Sequence, residues 1–345
     1  MPPATRVSST TSHASDAVDL VNETPFAARL LGVRRSEEAN IQASLIVKAT
    51  FERDAPTSWV PAKEQVPIID DRLDTPYGVF HTDCFVRKDG VDVCVLGTIR
   101  PATPSRAVQL MVSVGSHSSE LTVFGDRRWV RSSGRLAPSV PETFAEMPLG
   151  YPHAYGGTTV HDYETAVWAD NPVGRGYYLS PEAAAGNPLP NIEATAGPQV
   201  RDWSDQPTCA GWGPYPLFWG IRAREGIDPP EKLEPGKVGR IKARLNNNAH
   251  PSLVVAKLDG GEEIRIRGMR PQEVVLALPR FSPELEVRLG EQTVTHATSA
   301  LDGVFVWLDA DRVTLTRRIQ FDYAYNKGEP RGARLVDALA MKTGA

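Results

Sequence analysis

Histidines and carboxylates in the middle of the chain are the residues whose types could support metal or acid–base chemistry. His153 and His161, the latter followed by Asp162, are eight residues apart, and this spacing fits no standard metal-ligand pattern. Carboxyl pairs such as Asp202 with Asp205 could serve a glycosidase, which needs two carboxyls about 5–10 Å apart across a cleft. Acidic loop residues are usually solvated, so we predict no metal site and no cofactor.

Glycine-rich turns in the same segment could in principle cradle phosphates. The pair Gly156-Gly157 and the run from Gly174 to Gly176 lack the following Lys-Ser or Lys-Thr of a P-loop. The Gly-x-Ser-x-Gly elbow of serine hydrolases is absent from the sequence. These patterns give no support to phosphate binding or to a serine nucleophile. A polysaccharide-acting hydrolase and a carbohydrate-binding module that uses the aromatic residues stay open as alternatives.

A charged and aromatic cluster, Gly125-Asp126-Arg127-Arg128-Trp129, follows a predicted strand. Arg127 and Trp129 occupy alternate positions, so a strand here would place both on one face. An arginine stacked on a ring, or paired with Asp126, is physically reasonable. A structural anchor and a partner-binding role are both consistent with this pattern.

The segment 145–230 differs in composition from the rest of the chain. Its 86 residues include 11 Gly and 12 Pro, together with four of the seven Trp and six of the nine Tyr. Disordered segments are poor in aromatic residues, so we predict an ordered, loop-built region packed by large rings. It has ten acidic residues, four Arg and no Lys, a local charge of −6.

The composition of the whole chain sets wider limits. The 345 residues carry a formal charge of −4, which argues against nucleic-acid binding. The chain has no apolar run near the ~20 residues that a membrane helix needs, and residues 1–19 lack the apolar core of a signal peptide. The three cysteines are typical of a reduced, intracellular protein. We therefore predict a cytoplasmic protein without membrane insertion.

Short β-branched runs bounded by turn residues predict a mainly β fold, with antiparallel sheets in sandwich-like layers and a short C-terminal helix. We divide the chain into a flexible N-terminal tail, an N-terminal β region, a loop-rich aromatic region, and a C-terminal β region with the terminal helix over 332–342. Their bounds are 1–19, 20–144, 145–230 and 231–345.

Turn signals predict individual hairpins. Asp89-Gly90 should join 79–86 to 91–99, which would place Cys84 and Cys94 on opposite faces and disfavour a disulfide between them unless a bulge shifts the register. Gly290-Glu291 should join 284–289 to 292–297, with Val287 opposite Val294. Further predicted pairs are 108–114 with 121–124, 253–258 with 264–267, and 304–308 with 313–319.

A series of segments resembles an uncharacterised-domain family encoded in bacterial type VI secretion clusters, whose members act as effector adaptors or chaperones. The matching segments, which span about residues 20–225, include Asn22-Glu23-Thr24-Pro25-Phe26, Ile46-Val47-Lys48-Ala49-Thr50-Phe51, Asp83 with Lys88, Asp92-Val93, Gly125-Asp126-Arg127, Tyr155-Gly156-Gly157, Asn171-Pro172-Val173-Gly174-Arg175-Gly176, Leu189-Pro190-Asn191-Ile192-Glu193, Gly211-Trp212-Gly213-Pro214, and Trp219 with Arg222.

The resemblance implies a non-catalytic protein whose partners are a toxic effector and a spike or tip protein of the secretion machine. We expect the aromatic middle region to be the docking surface, and its acids, including Asp162, Glu164 and Asp170, to suit a basic patch on the cargo. The partner-binding candidates are Asp126, Arg127, Trp129, Tyr155, Gly156, Gly157, Asn171, Pro172, Gly174, Arg175, Asn191, Glu193, Trp212, Trp219 and Arg222.

Overall fold

A computed structural model describes residues 5–7, 20–34, 40–55, 58–161, 164–197, 199–227, 241–289, 291–297, 300–324 and 330–337. The fold is mainly β, as predicted. The strands are β1 Thr5–Val7, β2 Leu20–Asn22, β3 Ala27–Arg34, β4 Asn40–Ala55, β5 Ser58–Pro61, β6 Arg72–Thr75, β7 Gly78–His81, β8 Val91–Leu96, β9 Thr98–Ile99, β10 Ala107–Val114, β11 His117–Phe124, β12 Trp129–Ser132, β13 Arg135–Pro138, β14 Met147–Pro148, β15 Tyr155–Gly156, β16 Thr158–His161, β17 Glu164–Val167, β18 Arg175–Gly176, β19 Ile192–Ala194, β20 Val254–Val255, β21 Glu263–Arg267, β22 Val274–Ala277, β23 Pro283–Leu289, β24 Gln292–Ala297, β25 Leu301–Trp307, β26 Arg312–Ala324 and β27 Pro330–Asp337.

Helices are short in the described part of the chain. The α-helices are α1, Pro181–Ala184, and α2, Gly220–Gly226, and 3-10 turns include Tyr151–His153, Ala243–Asn246 and Pro251–Leu253. Ser180 caps α1, because its side chain accepts a hydrogen bond from Ala183 N at 3.1 Å. Among the described residues, no helix is both long and apolar enough to cross a membrane.

Three larger sheets share one hydrophobic core. The first has seven strands, in the order β20-β8-β25-β26-β4-β3, with β5 added beside β4. The second has the order β19-β11-β10-β21-β22, and the third has the order β1-β2-β27-β23-β24. Val47 on β4, Val112 on β10 and Leu285 on β23 belong to the same buried cluster. The predicted N-terminal and C-terminal β regions therefore contribute strands to common sheets.

Several predicted hairpins are confirmed. Strands β23 and β24 pair with Val287 opposite Val294 and Leu285 opposite His296. Leu285 and Val287 are buried, whereas Glu284 and Arg288 face away from the core, which is the alternation of a half-buried antiparallel sheet. The pairs β10–β11 and β25–β26 are also antiparallel neighbours.

The predicted Asp89-Gly90 hairpin is wrong. Strand β8 pairs in parallel with β25 and antiparallel with β20, while β7 pairs with β6. Gly90 does have the left-handed φ of +75° that its turn requires. A local turn signal fixes the bend but not the partner strand. Cys84 and Cys94 are nevertheless free, as predicted, and so is Cys209.

Two further expectations are corrected. The pair 253–258 with 264–267 does not form, because β21 pairs with β10 and β22. The prediction of a C-terminal helix is wrong over 332–337, because these residues belong to strand β27. This strand lies between β2 and β23, and both neighbours form hydrogen bonds with its backbone. A short apolar run does not by itself distinguish a strand from a helix. Of the predicted tail, only 5–7 is described; it pairs with β2, and the rest lies outside the described residues, as do 338–342.

Candidate functional site

Part of the middle region packs with β12 and β13 into a unit that we call the lobe, and we call its buried centre the lobe core. Trp129, Tyr155, Ala184, Leu189 and Val200 form this buried cluster. Leu136, Trp168, Tyr177, Tyr178 and Trp203 pack against it. Rings meet edge-on or tilted, with centroids 5.4 Å apart for Tyr155 and Trp168, a favourable arrangement for aromatic pairs. The region is therefore ordered and packed by its rings, as predicted.

Close backbone contacts explain the glycine-rich motifs of the lobe. Gly156 has a φ of +145°, and a Cβ added there would lie 2.2 Å from the Asn171 carbonyl oxygen. At Gly157, with a φ of +109°, the added Cβ would lie 2.6 Å from Gly174 O. Only glycine permits both the conformation and the approach. These motifs bring two loops together and match the turn geometry expected from the sequence.

Asn171 holds the same two loops from inside. Its fully buried amide Nδ2 donates to Tyr151 O at 2.9 Å and to Tyr155 O at 3.0 Å. Buried backbone carbonyls need such donors, because an unpaired polar group inside a protein is costly. Pro172 and Gly174, next to it in the chain, are half-buried.

A polar junction joins the lobe to β11. Asn191 Nδ2 donates to Phe124 O at 3.1 Å and to Asp126 Oδ1 at 3.0 Å. Asp126 is exposed and forms an ion pair with Arg175, with 3.8 Å between Oδ1 and Nη1. His153 contacts Asn191 Oδ1 through Nδ1 at 3.3 Å. Burial, aided by Arg175, lowers the pKa of His153, so this histidine is mainly neutral near pH 7.

Arg127 and Glu193 form a buried ion pair within the junction. Arg127 Nη2 donates to Glu193 Oε1 at 2.5 Å and to Pro190 O at 2.6 Å. The guanidinium also lies over the Phe124 ring, 3.9 Å from its centroid. The expected arginine–ring contact exists, but its ring is Phe124 rather than Trp129, and its carboxylate is Glu193 rather than Asp126.

The other tryptophan and arginine candidates lie against the main core. Trp212 is fully buried, and its Nε1 donates to Ser119 Oγ at 3.0 Å. Trp219 is half-buried, with its ring centroid 5.3 Å from that of Tyr151. Arg222 donates from Nη1 to Tyr215 O at 2.7 Å. Burial lowers its pKa to about 10, and the side chain joins α2 to the core.

Burial divides the predicted partner-binding residues into two groups. One group can reach solvent, and the other supports the lobe or the main core and would act on a partner only through the surface that it supports. Asp126, Pro172, Gly174, Arg175 and Trp219 are exposed or half-buried, whereas Arg127, Trp129, Tyr155, Gly156, Gly157, Asn171, Asn191, Glu193, Trp212 and Arg222 are buried. Rings as deeply buried as Trp129 and Trp212 offer no face to a sugar.

One outward surface, which sequence reasoning missed, lies on the hairpin of β16 and β17. Thr158 pairs with Val167, and Val160 pairs with Thr165. These four side chains are all exposed, while Thr159, between them in sequence, is buried. We call them the hairpin face. Alternating β-branched residues were the available signal, but periodicity alone does not say which face the lobe covers.

Acidic residues near this face differ in accessibility. Glu164 is exposed at the start of β17. Asp170 is buried and accepts two hydrogen bonds from Arg224, at 2.8 and 2.7 Å, so its charge is already paired within the protein. The expectation that Asp170 faces a partner is therefore wrong. Asp162 lies outside the described residues.

A buried charge network, whose pairing the sequence motifs did not reveal, lies beside β8. Lys48 pairs with Asp83 at 2.7 Å, and Lys88 pairs with Asp92 at 2.9 Å. A third buried pair links Arg318 and Asp302, whose Nη2 and Oδ2 atoms are 2.9 Å apart. Charged residues inside apolar strand sequences were the signal, because such groups are buried only when paired.

The two lysines of this network differ in their protonation equilibria. Burial lowers the pKa of Lys48 despite the nearby Asp83 carboxylate. Burial also opposes the charged form of Lys88, but Asp92, Asp302 and Asp83 outweigh it and raise its pKa. Lys88 is therefore fully protonated at neutral pH.

Metal ligation has no suitable residue group in the part of the chain that the structure describes. No cluster of three or more His, Cys, Asp or Glu side chains could hold an ion there. The side chain of His161 lies outside the described residues. His250 is buried between Ser252 Oγ, at 2.8 Å, and Cys209 O, at 3.0 Å, and burial lowers its pKa to about 4.

The model of one family, described as "Uncharacterized protein conserved in bacteria (DUF2169)", matches residues 38–318. The chain belongs to this family. The match spans the lobe, the hairpin face and the buried charge network, and it supports the resemblance to an uncharacterised bacterial domain. No curated protein and no solved structure matches the chain.

Proposed function

We propose that the protein is a cytoplasmic adaptor or chaperone that binds a type VI secretion effector and helps to load it onto the spike complex. In this role it forms a stable complex with its cargo and carries out no chemical turnover. Membership of the family and the ordered motifs of the resemblance support the proposal. The structural support comes from the lobe and its outward surface.

The observation that carries the proposal is the exposure of the hairpin face. Val160 and Val167 have 66% and 51% of their surface accessible, and the other two residues of the face, Thr158 and Thr165, carry no charge. The hairpin is supported by the rest of the protein, because Thr159, between Thr158 and Val160, is buried and β16 contacts α1. An exposed apolar patch on a fixed support is typical of a protein-interaction site.

Charge suggests the chemistry of the cargo surface. Exposed carboxylates of the middle region include Glu164, Glu182 and Asp202, and the region as a whole has an excess of six negative charges. A cargo patch with an apolar centre and a rim of Lys or Arg would complement it. In this arrangement the valines would contribute affinity, and the acids would contribute association rate and specificity.

The proposal is tested by co-expression with the products of neighbouring genes, followed by co-purification. We expect one toxin-like neighbour to form a stable complex with the wild-type protein. The double variant Val160→Glu with Val167→Glu should fail to bind this neighbour, because formation of the complex would bury two carboxylates without partners. Val275→Glu is the matched control, since Val275 is an exposed valine on another sheet.

Two outcomes would contradict the proposal. One is that no neighbouring gene product binds and that the level of each is unchanged when this protein is deleted. The other is that the double hairpin variant, shown to be folded by circular dichroism, retains its cargo as well as Val275→Glu does.

A further inference from the structure

A crevice of about 220 Å³ opens beside β8 and reaches the buried charge network. Four basic side chains and one carboxylate line it, together with a glutamine. These residues are Arg87, Lys88, Lys257, Arg318, Asp302 and Gln320. The lining therefore has an excess of positive charge, although the chain as a whole is acidic.

Lys88 is the buried member of this lining. Its side chain is 1% exposed, and Nζ donates to Asp92 Oδ2 at 2.9 Å. An ammonium group has three donor hydrogens, and the described residues supply this one hydrogen-bond acceptor. Asp92 is itself saturated by other donors, since it accepts from Asn247 Nδ2, Asn248 N and Ala249 N. Lys88 thus retains donor capacity at the inner end of the crevice.

The carboxylate in the lining does not cancel this capacity. Asp302 Oδ2 accepts from Arg318 Nε at 3.1 Å and from Nη2 at 2.9 Å. This two-donor contact pairs Asp302 with Arg318, so the charges of these two residues offset each other. Lys257 forms an exposed pair with Asp259 at 3.0 Å, a kind of contact that is weak in water. Arg87 is exposed at the outer end of the crevice.

The walls of the crevice are fixed by the fold. A Cβ added to Gly90 would lie 2.7 Å from Val255 O, so the glycine lets β20 approach β8. The carbonyl oxygen of Arg87 accepts a hydrogen bond from Asn246 Nδ2 at 2.7 Å. The backbone that carries the two basic residues 87 and 88 is therefore held in one position, which favours binding by preorganisation.

We propose that this crevice binds a small oxyanion, a phosphate or a carboxylate group, between Lys88 at its inner end and Arg87 at its rim. A carboxylate presents its charged oxygen atoms in a plane, and a phosphate presents them at the corners of a tetrahedron. Both accept hydrogen bonds from ammonium and guanidinium donors. The site is separate from the hairpin face and does not depend on the adaptor function.

Titration calorimetry of the full chain at constant ionic strength tests the site, with inorganic phosphate and acetate as separate probes. We expect saturable binding that is weakened about tenfold or more in the double variant Arg87→Gln with Lys257→Gln, since the charge-assisted contact of Arg87 and the positive charge of Lys257 in the lining are both removed. Both residues are exposed, so this variant should fold. The matched control is Arg135→Gln, at an exposed arginine of β13, which should bind like the wild type.

The two probes separate the sources of the oxyanion. Saturation by phosphate alone indicates a phosphate group, whereas saturation by acetate as well indicates a carboxylate, as on a peptide. Absence of saturable binding for both anions would overturn the proposal. So would an unchanged affinity in the double variant.

Discussion

Glu193 on β19 and Arg127, two residues before β12, form a buried pair with 2.5 Å between Oε1 and Nη2. The second carboxylate oxygen of Glu193 accepts a hydrogen bond from Val200 N at 3.0 Å. Val200 is part of the lobe core. The Glu193 carboxylate therefore connects the five-stranded sheet that contains β11, the segment that leads into β12, and the lobe core.

Removal of Glu193 should destabilise the protein strongly. Glu193→Ala leaves a buried guanidinium without its counter-charge, and we expect a loss of about 3–5 kcal/mol in the free energy of unfolding. Urea denaturation measures this loss. The double variant Arg127→Met with Glu193→Leu removes both charges and should recover much of the stability. A small loss in Glu193→Ala would mean that the pair has little structural role.

Gly156 should be the more sensitive of two glycines with positive φ. Gly134→Ala, at a φ of +80° with open space around it, should cost about 1–2 kcal/mol for the left-handed conformation alone. In Gly156→Ala, the new methyl group would also overlap Asn171 O, which should add about 1–3 kcal/mol. Thermal or urea unfolding of the two variants gives the comparison. Equal losses would show that the loop moves aside at no cost.

Two acids near the hairpin face should respond differently to loss of charge. Glu164→Gln should leave stability unchanged but weaken cargo binding at low salt more than at high salt, because an exposed charge is screened. Asp170→Asn should instead cost about 1–3 kcal/mol of stability, since it breaks the two-donor contact with Arg224. Unfolding curves and binding at two salt concentrations separate these effects.

Acid should destabilise the protein through His250. Its pKa is lowered to about 4 in the folded state by burial, against an ordinary value near 6.5. Below pH 6.5 the unfolded chain binds a proton that folded His250 does not, so the stability present above pH 6.5 falls as the pH drops toward 4. The contribution of His250 to the free energy of unfolding, which is lost over this pH range, is about 3 kcal/mol.

Urea unfolding at a series of pH values measures this loss. His250→Asn is the comparison, because Asn can also cap the turn that follows but does not titrate. The variant should show a shallower decline between pH 6.5 and 4. Identical pH profiles for the wild type and the variant would exclude His250 as the cause.

Part of the candidate site follows from local sequence and part does not. Rings, prolines and glycines within 145–230 predict an ordered region, and the lobe core confirms this. The same residues do not reveal their own exposure. Trp129 and Trp212 are buried, whereas the hairpin face, with no rare residue type, is exposed. Burial depends on segments far away in the chain, and a list of motifs contains no information about them.

The sequence by itself determined the β class and some of the hairpins, because alternation and short turns act between residues close in sequence. The β23–β24 register of Val287 with Val294 is one example. Only the tertiary structure decided that β8 lies beside β25 and that Lys88 and Arg318 line one crevice. Residues 88 and 318 are brought together by sheet pairing over more than two hundred positions, which depends on the packing of the whole core rather than on local preference.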